Sequence, residues 1–279
     1  MNYPSKKIIL AFAGSAFMFF AGAQDKPSKA PASSYFKASA SYLSNSVYSG
    51  RKDSLVTPYF TPALGYYNKS GFYVSAAASY LSSAAESRID LFTLDIGYDF
   101  TISDQVSGGI YASKYFYNQS SSAVKSDMRA GLGGSISYDP GFVTLSGGLD
   151  IALSSSADII FNASLAHAFT IGEEGNQWTI TPTVSTSLGT QNFYQGYVKN
   201  RRGSGNQNIQ LQKKGRFSLL DYELSLPIAY DAKKWGLFFT PTYALPQNPI
   251  TLTLTNGTVI FTEKIENTFY AEVGVYFKF

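Results

Sequence analysis

The sequence predicts an all-β fold, a transmembrane antiparallel β-barrel of about twelve strands. Three observations lead to it. Apolar and polar residues alternate with a period of two along most of the chain. The N-terminus has the features of a secretory signal sequence. Charged residues make up 15% of the chain and aromatic residues 16%, a balance that suits a lipid-facing surface with aromatic girdles.

Residues 1–23 are predicted to be a cleaved signal peptide. Two lysines precede an apolar run from Ile8 to Phe20, and Ala21-Gly22-Ala23 supplies small residues for cleavage before Gln24. The apolar run is shorter than the roughly 20 residues of a spanning helix, which argues against the alternative of an N-terminal membrane anchor. Residues 24–33 are then expected to form a short periplasmic tail. The absence of cysteine excludes disulfides, thiolate metal sites and a lipid-modified cysteine.

The remaining chain, 34–279, is predicted to be a single barrel. The approximate first residues of its alternating segments are Tyr35, Val56, Phe72, Arg88, Gln105, Ser126, Phe142, Asp158, Trp178, Phe217, Trp235 and Glu266. Tight turns such as Asn68–Gly71 and Asp139–Gly141 close every second connection, and two of the others are long, at about 190–216 and 246–265. Short turns on one side and long external loops on the other place both termini in the periplasm. The second long loop contains Asn256-Gly257, a type I′ turn signal, and is expected to form an external hairpin.

Several prolines fall inside the predicted strands, where a missing N–H weakens the pairing. They are Pro58, Pro62, Pro182, Pro227 and Pro241. We expect them to lie near strand ends or bulges.

One face of these segments is apolar and the other is polar, and the parity of the residue number decides which side chains share a face. We expect the apolar face to meet lipid, because a Lys or Arg at the bilayer midplane would cost about 2–4 kcal/mol. Its members include Phe36, Phe72, Phe92, Leu94, Ile96, Met128, Leu165 and Leu220. The polar face is expected to line the lumen, with acidic residues Asp95, Asp99, Asp127, Asp150, Asp221, Glu223 and Glu272 and basic residues Lys37 and Arg129. The segment from Gln105 to Tyr117, which includes Lys114, has mixed parity.

The last strand carries the most specific pattern in the chain. From Phe269 onward every second residue is apolar, through Val275 and Phe277, and the chain closes on Phe279. This strand resembles the terminal strand of bacterial outer-membrane β-barrels, of a porin-like and Bacteroidetes-like type given the cleavage before Gln24. The resemblance covers the whole mature chain and implies a multi-pass location in the bacterial outer membrane, in contact with lipid and lipopolysaccharide. It also implies that the barrel-assembly machinery recognises Val275, Phe277 and Phe279. Alternation alone would also suit a soluble β-sandwich.

The expected lumen is acidic, whereas the loop at 190–216 is basic. The basic residues of this loop are Lys199, Arg201, Arg202, Lys213, Lys214 and Arg216. The opposite charges lead to the hypothesis that the loop folds into the mouth, pairs with Asp221 or Glu223 and forms a constriction. The alternative is a solvated loop that faces lipopolysaccharide.

The sequence therefore predicts a narrow passive channel for small polar solutes. A second possibility is a non-conducting surface barrel that acts in adhesion, secretion or assembly through its external loops. No enzymatic function is predicted, because the single histidine, His167, has Leu165 and Phe169 rather than a serine at the neighbouring outward positions. We expect no catalytic residue, metal or cofactor, since no His/Cys cluster, G-x-S-x-G elbow or P-loop occurs. The net charge of +3 gives no argument for nucleic acid.

Overall fold

The computed structural model describes residues 33–52, 56–83, 86–121, 124–154, 156–203, 209–212 and 215–279, with backbone only at 124, 126 and 200–203. The predicted signal peptide and residues 24–32 of the predicted tail lie outside the described residues. Most of the described chain is strand, with a helix, α1 (Asn192–Gly203), and a 3-10 turn at Val124–Asp127. The strands are β1 (Tyr35–Leu43), β2 (Val47–Tyr48), β3 (Arg51–Lys52), β4 (Tyr59–Tyr67), β5 (Phe72–Ser82), β6 (Ser87–Thr101), β7 (Val106–Tyr117), β8 (Ala130–Tyr138), β9 (Thr144–Leu153), β10 (Ala157–Ala166), β11 (Phe169–Glu173), β12 (Asn176–Ile180), β13 (Thr183–Gly189), β14 (Ile209–Leu211), β15 (Ser218–Ser225), β16 (Ile228–Ala232), β17 (Trp235–Pro246), β18 (Thr251–Leu254), β19 (Val259–Thr262) and β20 (Thr268–Lys278).

Twelve strands close into an antiparallel barrel, which confirms the predicted fold class. They follow one another in the order β1, β4, β5, β6, β7, β8, β9, β10, β13, β15, β17 and β20, and β20 pairs back onto β1. The amide of Phe279 donates to the carbonyl of Phe36 (2.9 Å), and the amide of Phe36 donates to Phe279 (3.2 Å). The first and last strands thus close the barrel, and closure removes the sheet edges. We call the end that holds both ends of the barrel chain the terminal end, and the opposite end the loop end.

Three strands of the barrel are broken at aligned positions. β10 continues as β11, β12 leads into β13, and β15 continues as β16. Pro182 and Pro227 lie at two of these breaks, because proline has no N–H for the ladder. Their carbonyls still accept hydrogen bonds, Pro182 from the amide of His167 (3.2 Å) and Pro227 from that of Thr181 (2.8 Å). The other predicted strand prolines differ, since Pro58 precedes β4 whereas Pro62 and Pro241 lie within strands.

The outside of the barrel is apolar. Large hydrophobic side chains at alternate positions, such as Phe92, Leu94 and Ile96 on β6, are widely exposed on the exterior. The interleaved positions point inward and are mostly polar and buried, as the parity argument predicts. Strands such as β1, with 9 residues, and β6, with 15, are long enough for a tilted crossing, which takes about 9–11 residues.

Two residues that were predicted to face lipid, Leu220 and Met128, are buried instead. Leu220 is fully buried, because the pairing of β13 with β15 shifts between Ser187 and Leu188 and this bulge turns Leu220 inward. Met128 lies before β8 and is buried in an apolar cluster at the loop end. The ambiguous Lys114 is on the exterior of β7, with its ammonium 5.7 Å from the ring centre of Phe116. None of the helices in the described ranges has the length and apolarity to span a membrane.

Candidate functional site

The connection between β1 and β4 turns into the barrel. Residues 45–51 are all buried, and β2 pairs with β3 to make a small hairpin, which we call the inner hairpin (residues 45–52). Its turn residues Ser49 (φ 47°) and Gly50 (φ 75°) are both left-handed, as a type I′ turn requires. A Cβ on Gly50 would lie 3.0 Å from the Cβ of Asp221 and 3.0 Å from the Cα of Pro246. The inner hairpin therefore reaches, inside the barrel, from β1 and β4 to β15 and β17.

Arg51 anchors the inner hairpin. The side chain is buried and donates from Nε to Glu263 Oε1 (3.1 Å) and from Nη1 to the carbonyl of Ser49 (3.1 Å). Nη2 donates to two further carbonyls, those of Gln247 (2.5 Å) and Asn248 (2.9 Å). All of the guanidinium nitrogens are thus engaged, and a charge-assisted network of this kind is stronger than neutral hydrogen bonds.

Glu263 connects the inner hairpin to the long loops. Its Oε1 also accepts a hydrogen bond from the hydroxyl of Tyr194 on α1 (2.6 Å), and its Oε2 accepts one from the amide of Ile250 (3.0 Å). The guanidinium carbon of Arg51 lies 5.1 Å from the ring centre of Tyr194. The half-buried carboxylate of Glu263 therefore joins the inner hairpin, α1 and the segment that holds Ile250.

A folded lid lies above the inner hairpin. We use this name for α1, β14, β18 and β19, of which the three strands form a separate small sheet. The lid shares an apolar core with the inner hairpin and the upper barrel wall. Its buried members are Tyr48, Leu91, Tyr115, Met128, Ala152, Phe193, Tyr194, Val198, Ile209, Ile250 and Leu252. The loop end of the lumen is therefore covered by close-packed side chains rather than by a solvated loop.

Asp158 fixes the start of α1. This carboxylate on β10 is fully buried and accepts hydrogen bonds from the amides of Asn192 (2.7 Å) and Phe193 (2.9 Å) and from the hydroxyl of Thr190 (2.6 Å). The first amides of a helix have no partners within the helix, and its N-terminus carries partial positive charge. A negative charge supplied by the barrel wall thus holds the lid in place.

Tyr48 links the inner hairpin to α1 through aromatic contacts. Its ring centre lies 5.7 Å from that of Phe193 and 6.0 Å from that of Tyr194. Burial raises the pKa of the Tyr48 phenol, and the negative charge of Asp158 raises it further. The phenol therefore stays neutral inside the apolar core.

The barrel wall below the lid is polar. Asp95 accepts a hydrogen bond from the hydroxyl of Ser113 (2.5 Å), and Asp150 accepts one from Tyr111 (2.5 Å). The amide nitrogen of Asn162 also donates to Asp150 (2.5 Å). These acids, with Glu272 on β20, face inward at positions where the sequence places them. The carboxyl groups of Asp95 and Asp150 are thus held by hydroxyl and amide donors.

The predicted pair Asp221 and Glu223 is buried under the inner hairpin, but its basic neighbour comes from an unexpected place. Glu223 accepts a hydrogen bond from the hydroxyl of Tyr270 (3.1 Å) and interacts electrostatically with Lys125. Lys125 is 3% exposed and belongs to the 3-10 turn between β7 and β8. Lys125 thus supplies a buried positive charge beside the predicted acidic pair.

The remaining predicted lumen residues fall into two groups. Lys37 is buried on the inner face of β1, with its ammonium 4.7 Å from the ring centre of Tyr276, and Asp99 is half-buried on β6. Asp127 and Arg129 lie before β8 and are exposed at the loop end, so they do not line the lumen as expected. The chain leaves the strand geometry there because the 3-10 turn replaces the predicted start of the segment.

The basic loop folds as α1 and β14, and the side chains of two of its six predicted basic residues are described. Lys199 is half-buried on α1, and Arg216 is exposed before β15. Arg201 and Arg202 belong to the last turn of α1, and the side chains of these two residues, like all of Lys213 and Lys214, lie outside the described part of the structure. Among the described residues, the buried cations at the loop end include Arg51 of the inner hairpin and Lys125 of the 3-10 turn. A pairing of Glu263 with Arg51 was not foreseen, since the two residues come from different loops.

His167 lies between β10 and β11, away from the lid. Its Nδ1 is 2.6 Å from the carbonyl oxygen of Phe142, and its ring packs edge-on against Phe169 with 4.5 Å between centres. Within the described ranges no group of three or more His, Cys, Asp or Glu side chains is arranged to hold a metal ion. The final aromatic residues Phe277 and Phe279 are exposed on the outside of the closing strand, and Val275 is half-buried there.

Similar solved structures share the barrel architecture at low identity. They include a structure described as KdgM porin (TM-score 0.48, 9% identity, covering 87% of this chain and 99% of that chain). Others are the COG4313 outer membrane channel from Pseudomonas putida F1 (0.48, 11%, 90% and 97%) and LpxR from Salmonella typhimurium (0.48, 8%, 87% and 100%). At these values the likeness carries no argument about activity. No family model matches the sequence, and no curated protein matches it.

Proposed function

We propose that the protein is a passive, non-catalytic channel of the bacterial outer membrane for small polar solutes. Its loop end is closed by the inner hairpin and the lid, and it conducts when they move. The observation that carries the proposal is the buried inner hairpin, whose turn touches β15 and β17 while Arg51 and Glu263 hold it in place. A lumen with a polar wall and a separately folded closure is the arrangement of a gated passage.

The charged residues of the barrel wall support a preference for cations over anions. Five predicted acids, Asp95, Asp99, Asp150, Glu223 and Glu272, face inward below the lid, and Asp221 lies beside the turn of the inner hairpin. Lys37 and Lys278 lie on the same wall at the terminal end, and Lys125 interacts with Glu223 near the loop end. We expect an opened barrel to prefer cations, because acids outnumber bases along the passage.

The exterior and the N-terminal pattern support the location. An apolar belt of exposed side chains suits lipid, and the sequence begins with the features of a secretory signal. Lipid and lipopolysaccharide are then the surroundings of the barrel, and the assembly machinery is the partner for the strand that ends in Phe279.

A reversible lock tests the gate. The variant Gly50→Cys with Asp221→Cys places two thiols on the turn and on β15 in a chain that has no other cysteine. A disulfide needs about 3.5–4.5 Å between Cβ atoms, so a small shift of the turn accommodates it. In planar bilayers we expect the oxidised variant to lose its openings and dithiothreitol to restore them. Glu263→Gln removes the charge that holds Arg51 and should make openings more frequent.

The single variant Gly50→Cys, treated identically, controls for strain at the left-handed turn. Equal conductance of the oxidised and reduced double variant would show that the inner hairpin does not gate the lumen. The channel function itself would be excluded if none of three folded proteins conducted in planar bilayers. These are the wild type, Glu263→Gln and the reduced double variant. Folding is checked by the heat-dependent gel shift of the barrel.

A second candidate is a surface barrel that acts through its external loops. It is favoured by one observation: β19 is one of the two outer strands of the lid sheet, and Val259 (54%) and Ile260 (44%) are exposed on it. An exposed apolar edge strand is a surface on which another chain can pair. Silent but folded protein would direct attention to this edge.

A further inference from the structure

The polar wall beneath the inner hairpin holds buried oxygen atoms that have no hydrogen-bond partner. β17 lies between β15 and β20, and the hydroxyl of Tyr270 on β20 reaches across it to Glu223 Oε1 on β15 (3.1 Å). The other carboxyl oxygen, Glu223 Oε2, makes no hydrogen bond with any described residue, and the same holds for the hydroxyl of Ser225. A buried polar atom without a partner costs free energy, and a carboxylate oxygen costs most. A ligand in contact with both atoms would remove this cost.

The two oxygen atoms belong to neighbouring positions of the wall. Ser225 lies on the same face of β15 as Glu223 and is directly paired with Thr242 on β17, so their Cβ atoms are about 4.5–5.5 Å apart. Thr242 is in turn paired with Tyr270, which places its hydroxyl beside the phenol that bonds Glu223. The exposed fractions of Glu223, Ser225 and Thr242 are 1%, 7% and 1%. We call these three residues the oxygen patch.

The inner hairpin covers the oxygen patch on the side of the lid. Val47 packs against Ala244 and Tyr270, one inward position nearer the loop end than Thr242 on β17 and directly opposite it on β20. Toward the terminal end the next inward pair is Thr240 and Glu272, which is polar. The oxygen patch is therefore closed by apolar contacts above and continues into polar wall below, so that a polar ligand would reach it from the terminal end.

The charges around the oxygen patch leave it negative. Among the described residues, Asp221 and Lys125 are the charged groups that act on Glu223. Two carboxylates against one ammonium leave one negative charge, and Lys125 makes no hydrogen bond to Glu223 Oε2. A buried charge is stable when a counter-charge is in contact with it. One positive charge is what the oxygen patch lacks.

We propose that the oxygen patch binds a monovalent metal cation, sodium or potassium, directly beneath the inner hairpin. Hard cations take oxygen ligands, and Glu223 Oε2 with the hydroxyls of Ser225 and Thr242 supplies oxygen atoms only. Calcium sites draw on several carboxylates, whereas a single carboxyl oxygen is available here, which favours one positive charge over two. Such a site needs no histidine or cysteine and no group of three acids, so it differs in kind from the metal centres that the described ranges lack.

Binding is measured by sodium NMR on the intact barrel in detergent micelles, as line broadening that saturates with sodium. N-methylglucamine chloride keeps the ionic strength constant, and potassium and calcium are added as competitors. We expect saturable broadening that potassium displaces. Displacement by potassium below the sodium concentration would assign the site to potassium, and displacement only above it would assign the site to sodium. No saturable broadening, or displacement by calcium at far lower concentration, would overturn the proposal.

Variants separate the oxygen patch from other cation-binding groups. Glu223→Gln keeps an acceptor for Tyr270 but removes the charge, and it should abolish binding. Ser225→Ala should weaken binding about five-fold, as for the loss of one hydrogen-bonding contact. Ser146→Ala is the matched control, because Ser146 is also inward and 8% exposed but its hydroxyl lies 2.9 Å from that of Ser137. Unchanged binding in Ser225→Ala, or an equal loss in Ser146→Ala, would contradict the assignment.

Urea unfolding at several sodium concentrations gives a second readout that a merely structural hydroxyl would not move. Wild-type stability should rise with sodium, because a ligand that binds the folded state alone stabilises it. In sodium-free buffer Ser225→Ala should be at least as stable as the wild type, since it removes an unpaired buried hydroxyl, and it should gain less from sodium. Ser146→Ala should lose stability equally at every sodium concentration. An equal loss in Ser225→Ala with and without sodium would overturn its role as a ligand.

None of these measurements needs the inner hairpin to move. Sodium binding by a barrel that never conducts would retain the oxygen patch and remove the channel. Conductance without sodium or potassium binding would remove this inference alone.

Discussion

Asp158 and Phe193 join the barrel wall to the lid. The carboxylate of Asp158 accepts the hydrogen bond of the Phe193 amide at 2.9 Å, at the N-terminus of the helix that carries the apolar side chains of the lid. The wall thus supplies a charge that α1 itself lacks in its first turn.

Asp158→Asn should loosen the lid without unfolding the barrel. The neutral amide keeps an acceptor but loses the interaction with the helix N-terminus, worth about 1–2 kcal/mol in a buried geometry. Hydrogen exchange of the α1 amides should then be faster by roughly ten-fold, as 1.4 kcal/mol corresponds to a factor of ten. Asp127→Asn, an exposed acid at the same end, is the matched control and should leave exchange unchanged. Equal protection in wild type and Asp158→Asn would contradict the role of this carboxylate.

Arg51→Lys should behave as a loss rather than a conservative change. Lysine keeps the positive charge but cannot reach the four acceptors that the guanidinium engages through three nitrogens. We expect openings in planar bilayers to be at least as frequent as in Glu263→Gln. The neighbouring Lys52→Gln is the control, because Lys52 and Glu266 are about half exposed and 3.7 Å apart. Exposed pairs of this kind contribute roughly 0–1 kcal/mol. Wild-type behaviour of Arg51→Lys would show that charge alone holds the inner hairpin.

Gly97→Ala should destabilise the barrel. The added Cβ would collide with the ring of Tyr73, and overpacking of this kind costs about 1–3 kcal/mol. Gly196→Ala on α1 meets nothing within 4 Å and should be neutral or stabilising by up to about 1 kcal/mol, since alanine favours helices. Urea unfolding of the barrel in lipid vesicles measures both. A neutral Gly97→Ala would mean that Tyr73 can leave the wall without cost.

Ile96→Arg should test which face meets lipid. Ile96 lies on the outside of β6 and is 47% exposed. An arginine there should cost about 2–4 kcal/mol if it lies near the bilayer midplane, and about 0–1 kcal/mol near the interface. Phe142→Arg, at the turn before β9 on the terminal end, is the shallow control. Equal costs for the two variants in vesicle unfolding would contradict the assignment of the exterior.

The sequence predicts the strands of the barrel wall far better than the loops that fold into the lumen. Because side chains alternate with a period of two, a shift of one residue would move every side chain to the opposite face. Positions such as Leu94 and Asp95 are therefore assigned to opposite faces from the parity of their numbers alone. Leu220 escapes this argument because it is itself the extra residue of a bulge in β15, between Leu219 and Asp221, and no glycine or proline beside it marks the bulge. Strand parity likewise fails at Met128 and Arg129, where a 3-10 turn replaces the strand.

The closure of the lumen depends on contacts between distant loops, which periodicity does not report. The charge of the loop at 190–216 drew attention to its lysines and arginines, but a buried guanidinium is supplied by Arg51, in the connection between β1 and β4. One local signal was available: Val47 and Tyr48 precede Ser49-Gly50, an apolar pair before a turn in a connection expected to face solvent. Glu263, the partner of Arg51, lies 212 residues away in the chain, so only the fold brings the two residues together.

The inner hairpin also connects the strands that complete the barrel. It connects β1 to β4 and lies beside the pairing of the first and last strands. Its residue Val47 packs against Ala244 on β17 and Tyr270 on β20. The amide of Ser44 and the carbonyl of Ala271 pair at the same place. The inner hairpin therefore contacts β17 and β20 close to the place where β20 pairs with β1. It stabilises the β1–β20 pairing from inside the barrel. A force that displaces the inner hairpin from the lumen therefore also strains the strand pairing that closes the barrel.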